Sequence, residues 1–167
     1  VVVENAVAFV KRPLLRDDNN GDLETADARE PQAFRPGARL FLKSRASPDA
    51  GPRDISSAAF ADPGFRNDEG ELLYDVKDLD VSYDGNRLIF AMRAPEVEDA
   101  DDDEQPTWNI WEFNNETSQL RRIIGPDVVA GAGQDIAPTY LPDGRILFAS
   151  TRQRRSRAIL LDEGKPQ

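Results

Sequence analysis

The sequence predicts an all-β protein, a partial β-propeller of about two and a half four-stranded antiparallel blades. Three observations carry this prediction. A segment that begins at Asp78 recurs at Asp135. Each copy has an Asp-Gly pair between two apolar stretches, which is typical of a β-hairpin. No segment combines a helical period with caps at both ends, so no long helix is expected.

The repeat shows the same order of features in both copies, DLDVSYDGNRLIFAMR and DIAPTYLPDGRILFASTR. The matched positions are Asp78 and Asp135, Tyr83 and Tyr140, Asp84-Gly85 and Asp143-Gly144, and Arg93 and Arg152. A fainter copy, AVAFVKRP, places Phe9 and Arg12 where Phe90 and Arg93 stand. Four antiparallel strands followed by a new copy are typical of a propeller blade.

The blades follow in chain order. Blade 1, about 5–57, contains the strands AVAFVKR, ARLFLKSRA and PRDIS. Blade 2, about 76–124, contains the Asp-Gly hairpin, then TWNIWEF, the turn NNETS and the strand QLRRIIG. Blade 3 begins at about 135 and is incomplete, with RAILL as a candidate third strand. Because closed propellers have about 4–8 blades, we expect residues 1–167 to be a fragment of a single propeller domain.

Composition excludes several classes of function. The 167 residues include 31 acidic and 21 basic side chains, so a net charge of -10 argues against a nucleic-acid partner. The absence of His and Cys removes disulfides, cysteine-based zinc or haem sites and every catalytic triad that uses His. We therefore expect no catalytic residue and no cofactor in this chain. No apolar run approaches the ~20 residues of a membrane span.

Two sets of acidic residues are candidate sites. Asp18, Asn20, Asp22 and Glu24 alternate as oxygen ligands do in a calcium loop, although a solvated acidic loop explains them as well. Asp78 and Asp135 begin the innermost strands of their blades, so they are candidates to face the central channel and hold a cation or a basic ligand. The alternative is that each caps a turn by accepting backbone N–H bonds. Trp108 and Trp111 are expected on opposite faces of one strand.

The motifs SYDGNRLIFAMR, WNIWEF and APTYLPDGRILFASTR resemble the TolB-type propeller repeat. With the opening strand AFVKR and the segment Pro36-Gly37-Ala38-Arg39-Leu40, the chain more narrowly resembles the amino-terminal propeller of proteins related to the hydrazine synthase alpha subunit. That family carries c-type haems on Cys and His outside its propeller. This chain has neither residue, so the resemblance transfers no haem site and no catalytic residue. It does imply a periplasmic or otherwise extracytoplasmic setting and a longer parent protein.

The function expected is therefore a non-catalytic propeller segment that acts as a scaffold or protein-interaction module of a larger protein. Its partners would be the remaining blades of the parent or another copy, bound through unpaired strand edges. One alternative is a structural part of a hydrazine-synthase-like multihaem enzyme whose haem domains lie outside this chain. Another is the gating propeller of a serine peptidase, which would need a hydrolase domain further along the chain.

Overall fold

Strands dominate the computed structural model of the chain, which describes residues 5–14, 29–60, 66, 70–101 and 104–152. Within these ranges, nine strands form three separate antiparallel sheets, and none of the three sheets is closed. The all-β prediction is confirmed. The helical elements of the described part are two single turns, as expected from the lack of a long capped periodic segment.

The first sheet contains β1 (Val7–Lys11), β2 (Arg39–Lys43) and β3 (Arg53–Asp54), in that order. These are the three strands predicted for the first blade. A 3₁₀ turn, Ser57–Phe60, follows β3 and buries the Phe60 ring. Side chains alternate along β1 and β2, so that one set faces the second sheet and the other set points away from it.

The second sheet contains the four predicted strands in order of sequence: β4 (Asp75–Val81), β5 (Arg87–Arg93), β6 (Asn109–Asn114) and β7 (Gln119–Arg122). Strand β5 pairs with a strand on each edge. Its five interior residues are apolar and buried, so both faces of the strand are covered. A single helical turn, α1 (Asp127–Ala130), leads from β7 toward the third sheet.

The third sheet is a hairpin of β8 (Asp135–Tyr140) and β9 (Ile146–Ser150). Two apolar cores join the three sheets. One lies between the first and second sheets, and the other lies between the second and third sheets. Trp108 belongs to the second core and Trp111 packs against the first, so the two indoles lie on opposite sides as predicted.

The hairpins correct the alignment of the repeat. Val81 pairs with Leu88, and Tyr140 pairs with Ile146, so Val81 and Tyr140 are the equivalent positions. Both first strands contain a bulge with a residue at positive φ: Asp78 at 56° and Ala137 at 51°. In the second strands Met92 corresponds to Ser150, so Arg93 corresponds to Thr151. The predicted matches of Asp78 with Asp135, of Tyr83 with Tyr140 and of Arg93 with Arg152 are therefore wrong.

The wrong match rests on the identity of the two tyrosines. Aligning Tyr83 with Tyr140 requires a gap of two residues before the Asp-Gly pair of the first hairpin. In the structure the bulge residues lie equally far before Gly85 and Gly144, and the extra residue of the first hairpin, Asn86, follows the turn glycine. As a result Tyr83 lies in the turn and is 73% exposed, whereas Tyr140 ends a strand and is 3% exposed.

Candidate interaction surface

The third sheet packs on one face of the second sheet and covers it. On the second sheet, Ile89, Ala91, Trp108 and Ile110 are all 0–1% exposed. The third sheet covers them with Ile136 and Tyr140, flanked by the partly buried Ile146 and Phe148. Burial of apolar surface of this kind contributes about 25 cal/mol for each Å² removed from water. This apolar cluster therefore stabilises the contact between the two sheets.

Two carboxylates of β4 add polar contacts to this interface. Asp78 Oδ2 accepts a hydrogen bond from the Ala137 amide at 2.9 Å. Asp80 Oδ2 accepts bonds from the Thr139 hydroxyl and the Tyr140 amide, both at 2.8 Å. Partial burial acts to raise the pKa of Asp80, but these hydrogen bonds outweigh it and hold the pKa below its usual value. The carboxylates thus provide acceptors for the backbone N–H groups of the neighbouring strand where its bulge interrupts pairing.

Glu112 forms a buried polar cluster at the same interface. Its side chain is 5% exposed, and Oε1 accepts bonds from Arg121 Nε at 2.9 Å and Nη2 at 2.6 Å. Its Oε2 accepts a bond from the Tyr140 hydroxyl at 2.8 Å. Burial and then this contact with Glu112 raise the pKa of Tyr140, so the phenol stays protonated and acts as a donor. The cluster ties the third sheet to the second.

This cluster was missed in the sequence, although part of its signal is visible there. Glu112 stands between Trp111 and Phe113 in an otherwise apolar strand, which marks a carboxylate that needs a partner when buried. Arg121 lies directly opposite it on β7. Tyr140 could not be identified as the third member, because it comes from another sheet.

The two aspartates proposed for the channel occupy different environments. Asp78 binds the Ala137 amide, which agrees with an acceptor role but toward the next sheet rather than a local turn. Asp135 is fully buried and forms an ion pair with Arg152, while its amide donates to the Trp108 carbonyl at 2.9 Å. The two carboxylates thus contact different partners, Ala137 and Arg152, and their orientation toward a channel stays a prediction.

Asp75 is held in the same manner as Asp135. It is 1% exposed and pairs with Arg12 at 2.7 Å, and its Oδ2 accepts the Arg35 amide at 2.7 Å. Burial raises the pKa of this carboxyl, and the guanidinium of Arg12 opposes that rise. Because Arg12 follows β1, the ion pair joins the first sheet to the beginning of the second.

The proposed calcium ligands Asp18, Asn20, Asp22 and Glu24 lie outside the described residues. Among the residues that the structure does describe, no three acidic side chains come together where they could hold a metal ion. Calcium binding by the 18–24 segment stays a prediction. No helix in the described ranges is long and apolar enough to cross a membrane.

One face of the third sheet is exposed although the equivalent face of the second sheet is buried. By register, Leu147 of β9 is the equivalent of Ile89 of β5, yet Leu147 is 58% exposed and Ile89 is 0% exposed. Ala149 is likewise exposed where Ala91 is buried. Strand β9 pairs with β8 alone among the described strands, whereas β5 pairs with β4 and β6. We call this uncovered face and edge, centred on Leu147, the β9 surface.

Comparison with known proteins gave no relative: no family model matches the chain, and neither does any curated protein or solved structure.

Proposed function

We propose that this chain is a non-catalytic β-propeller segment that acts as a scaffold or protein-interaction module of a larger extracytoplasmic protein. Its three sheets would be successive blades of the TolB-type repeat. Several features support this interpretation. The sheets follow one another along the chain, each packs on the next through an apolar core, and the second has four antiparallel strands in order of sequence.

The exposure of Leu147 carries the proposal. At the equivalent place, Ile89 is fully removed from water by a neighbouring sheet. Burying a leucine side chain completely stabilises a protein by about 1.5–3 kcal/mol, so an uncovered leucine with an unpaired strand beside it favours association. The occupant that fits the β9 surface is a second β-sheet with an apolar face, as the third sheet itself covers the second. In the isolated chain, that sheet comes from a second copy.

The test is the size of the isolated protein in solution. We expect light scattering after gel filtration to show association of the wild type and a shift toward the monomer in Leu147→Glu. The matched control is Val128→Glu, which changes an equally apolar and more exposed residue, 86%, on α1. This control should associate as the wild type does. A compact wild-type monomer of 18.6 kDa would contradict the proposal.

A second measurement locates the contact. In the associated wild type, the amides of β9 should exchange with deuterium slowly, as a central strand does, and they should exchange faster in Leu147→Glu. The same comparison in a chain that ends at Arg152 removes the residues beyond the described part. Association that survives this truncation excludes residues 153–167 as the contact, and association that disappears assigns the contact to those residues and contradicts the proposal.

A second candidate function rests on the opening strand and the segment Pro36-Gly37-Ala38-Arg39-Leu40. Their resemblance to hydrazine synthase-related propellers supports a structural role in a multihaem enzyme whose haem domains lie elsewhere in the parent. The coding sequence around this chain decides between the two. Cys-x-x-Cys-His motifs in the same reading frame would favour the multihaem enzyme, and further propeller repeats followed by a stop would favour the interaction module.

A further inference from the structure

A cavity lies on the face of the first sheet that points away from the second sheet. Ala8, Val10, Leu40 and Leu42 pack toward the second sheet. The residues that alternate with them therefore point to the opposite side. There, a cavity of about 230 Å³ opens at the end of β1 and the start of β2. Its lining residues are Lys11, Arg12, Pro13, Gly37, Arg39 and Phe41.

Among the described residues, the lining has three basic side chains and no acidic one, in a chain whose net charge is -10. Arg12 is fixed by its ion pair with Asp75 and forms a rigid wall. Arg39 forms a long ion pair with Asp54, at 3.9 Å, without a hydrogen bond. Within the described ranges, Lys11 makes no ion pair, and it is exposed. Lys11 thus leaves an uncompensated positive charge beside the cavity, and Arg39 keeps N–H donors available because its contact with Asp54 is long.

An aromatic surface adjoins this charge. The rings of Phe9 and Phe41 stack with their centroids 5.7 Å apart, and both side chains are only half-buried. Gly37 lines the cavity next to Pro13. Its φ is +94°, and a Cβ at this position would lie 2.9 Å from Pro13 Cγ. The site therefore offers both cations and an apolar wall, which a bare inorganic anion would not use fully.

We propose that this cavity binds an acidic peptide segment of a partner protein. A carboxylate of the segment pairs with Lys11 and Arg39, and an adjacent apolar side chain lies on Phe41. Strand β1 is one of the two edge strands of its sheet among the described strands, so the main chain of an extended segment can pair beside the cavity. The inference rests on the protein-interaction role proposed above and names its partner chemistry, but it uses a surface separate from the β9 surface.

The probe is a blocked peptide of alternating Leu and Glu, compared with the same peptide carrying Gln in place of Glu. Titration into the ¹⁵N-labelled full chain should shift the amide signals of Lys11, Gly37 and Phe41 with the Glu peptide and not with the Gln peptide. Lys11→Gln should weaken binding of the Glu peptide at least about tenfold, because a charge-assisted bond is lost. The control Arg145→Gln removes an equal charge from the β8–β9 turn, at an exposed side chain, and should leave the affinity unchanged.

Three results would overturn the inference: equal binding of the two peptides, equal loss of affinity in both variants, or the same shifts with inorganic phosphate at the same concentration.

The acidic residues between positions 15 and 28 supply a further check, since they follow Pro13 closely in the chain. A variant with Asn or Gln at these positions should bind the peptide as the wild type does. Tighter binding would show that the chain's own segment competes for the cavity and would overturn the assignment to a partner. The affinity does not depend on Leu147, so failure here and failure of the β9 surface are distinguishable.

Discussion

The hydrogen bond from Tyr140 to Glu112 gives the most direct test of how the second and third sheets are joined. Tyr140→Phe removes the hydroxyl and keeps the ring that packs in the apolar core. The lost bond is 2.8 Å long, buried, and made to a carboxylate. A bond of this kind contributes about 1.5–3 kcal/mol. We therefore expect the free energy of unfolding to fall by about 2 kcal/mol, which corresponds to about 4–8 °C in Tm for a chain of this size.

The structure supplies a matched control in Tyr83→Phe. Tyr83 is 73% exposed in the turn before β5, so its hydroxyl is solvated and its removal should change the stability by less than about 0.5 kcal/mol. Urea unfolding followed by circular dichroism measures both variants, at one protein concentration because association stabilises the folded state. Equal losses in the two variants, or no loss in Tyr140→Phe, would refute the assignment of Tyr140 to a buried interface.

The same bond predicts a dependence on alkaline pH. The folded pKa of Tyr140 lies above the unfolded value of about 10, so the stability it contributes is fully present below pH 10 and is lost as the pH rises beyond it. Burial likewise raises the pKa of Tyr74 to about 12. The wild type should therefore lose stability above pH 10, and Tyr140→Phe should lose it less steeply while Tyr74 maintains part of the slope. An unchanged slope in the variant would contradict this reasoning.

Two further substitutions test the contacts of β4 and the lining of the cavity. Asp80→Ala removes the acceptor of two hydrogen bonds, one of them from Thr139, and should cost about 2 kcal/mol at pH 7. Since the pKa of Asp80 is lowered on folding, its contribution is present above about pH 4 and is lost as the pH falls further, so stability curves of variant and wild type should converge in acid. Gly37→Ala forces a Cβ against Pro13 at positive φ and should cost about 1–3 kcal/mol in thermal unfolding. Gly125→Ala, where no atom lies within 4 Å of the new Cβ, is its control and should change Tm little.

The local elements were predictable because their signals are local. The Asp-Gly turns at Gly85 and Gly144 both have positive φ, and the apolar stretches around them form the expected hairpins. The strands of the first and second sheets follow from runs of β-branched, aromatic and aliphatic residues. The bulges were not predictable. An interruption that shifts the register leaves no composition signal, and the residues at positive φ are an aspartate in one strand and an alanine in the other.

The polar contacts between the sheets lie beyond local pattern for another reason. The Thr139 hydroxyl donates to Asp80 from 59 positions away in the sequence, and the Tyr140 hydroxyl donates to Glu112 from 28 positions away. Each member alone is compatible with a solvated side chain. Only the packing of one sheet on the next determines which carboxylate is buried and which donor it meets. Identity between repeats did not help, because Asp80 corresponds by register to Thr139 rather than to another acid.

Strand β9 is where sequence and surroundings disagree, and the disagreement is informative. Its residues Ile146–Ser150 match the apolar content of β5, which is buried on both faces. A strand that faces water on one side normally alternates apolar with polar residues. Instead, β9 places Leu147 and Ala149 on its exposed side. The sequence thus specifies a strand for two-sided burial, while the described surroundings cover one side. A partner sheet on the β9 surface would cover the second side of the strand, as its sequence specifies. The size of the protein in solution and the exchange of the β9 amides are therefore the decisive measurements.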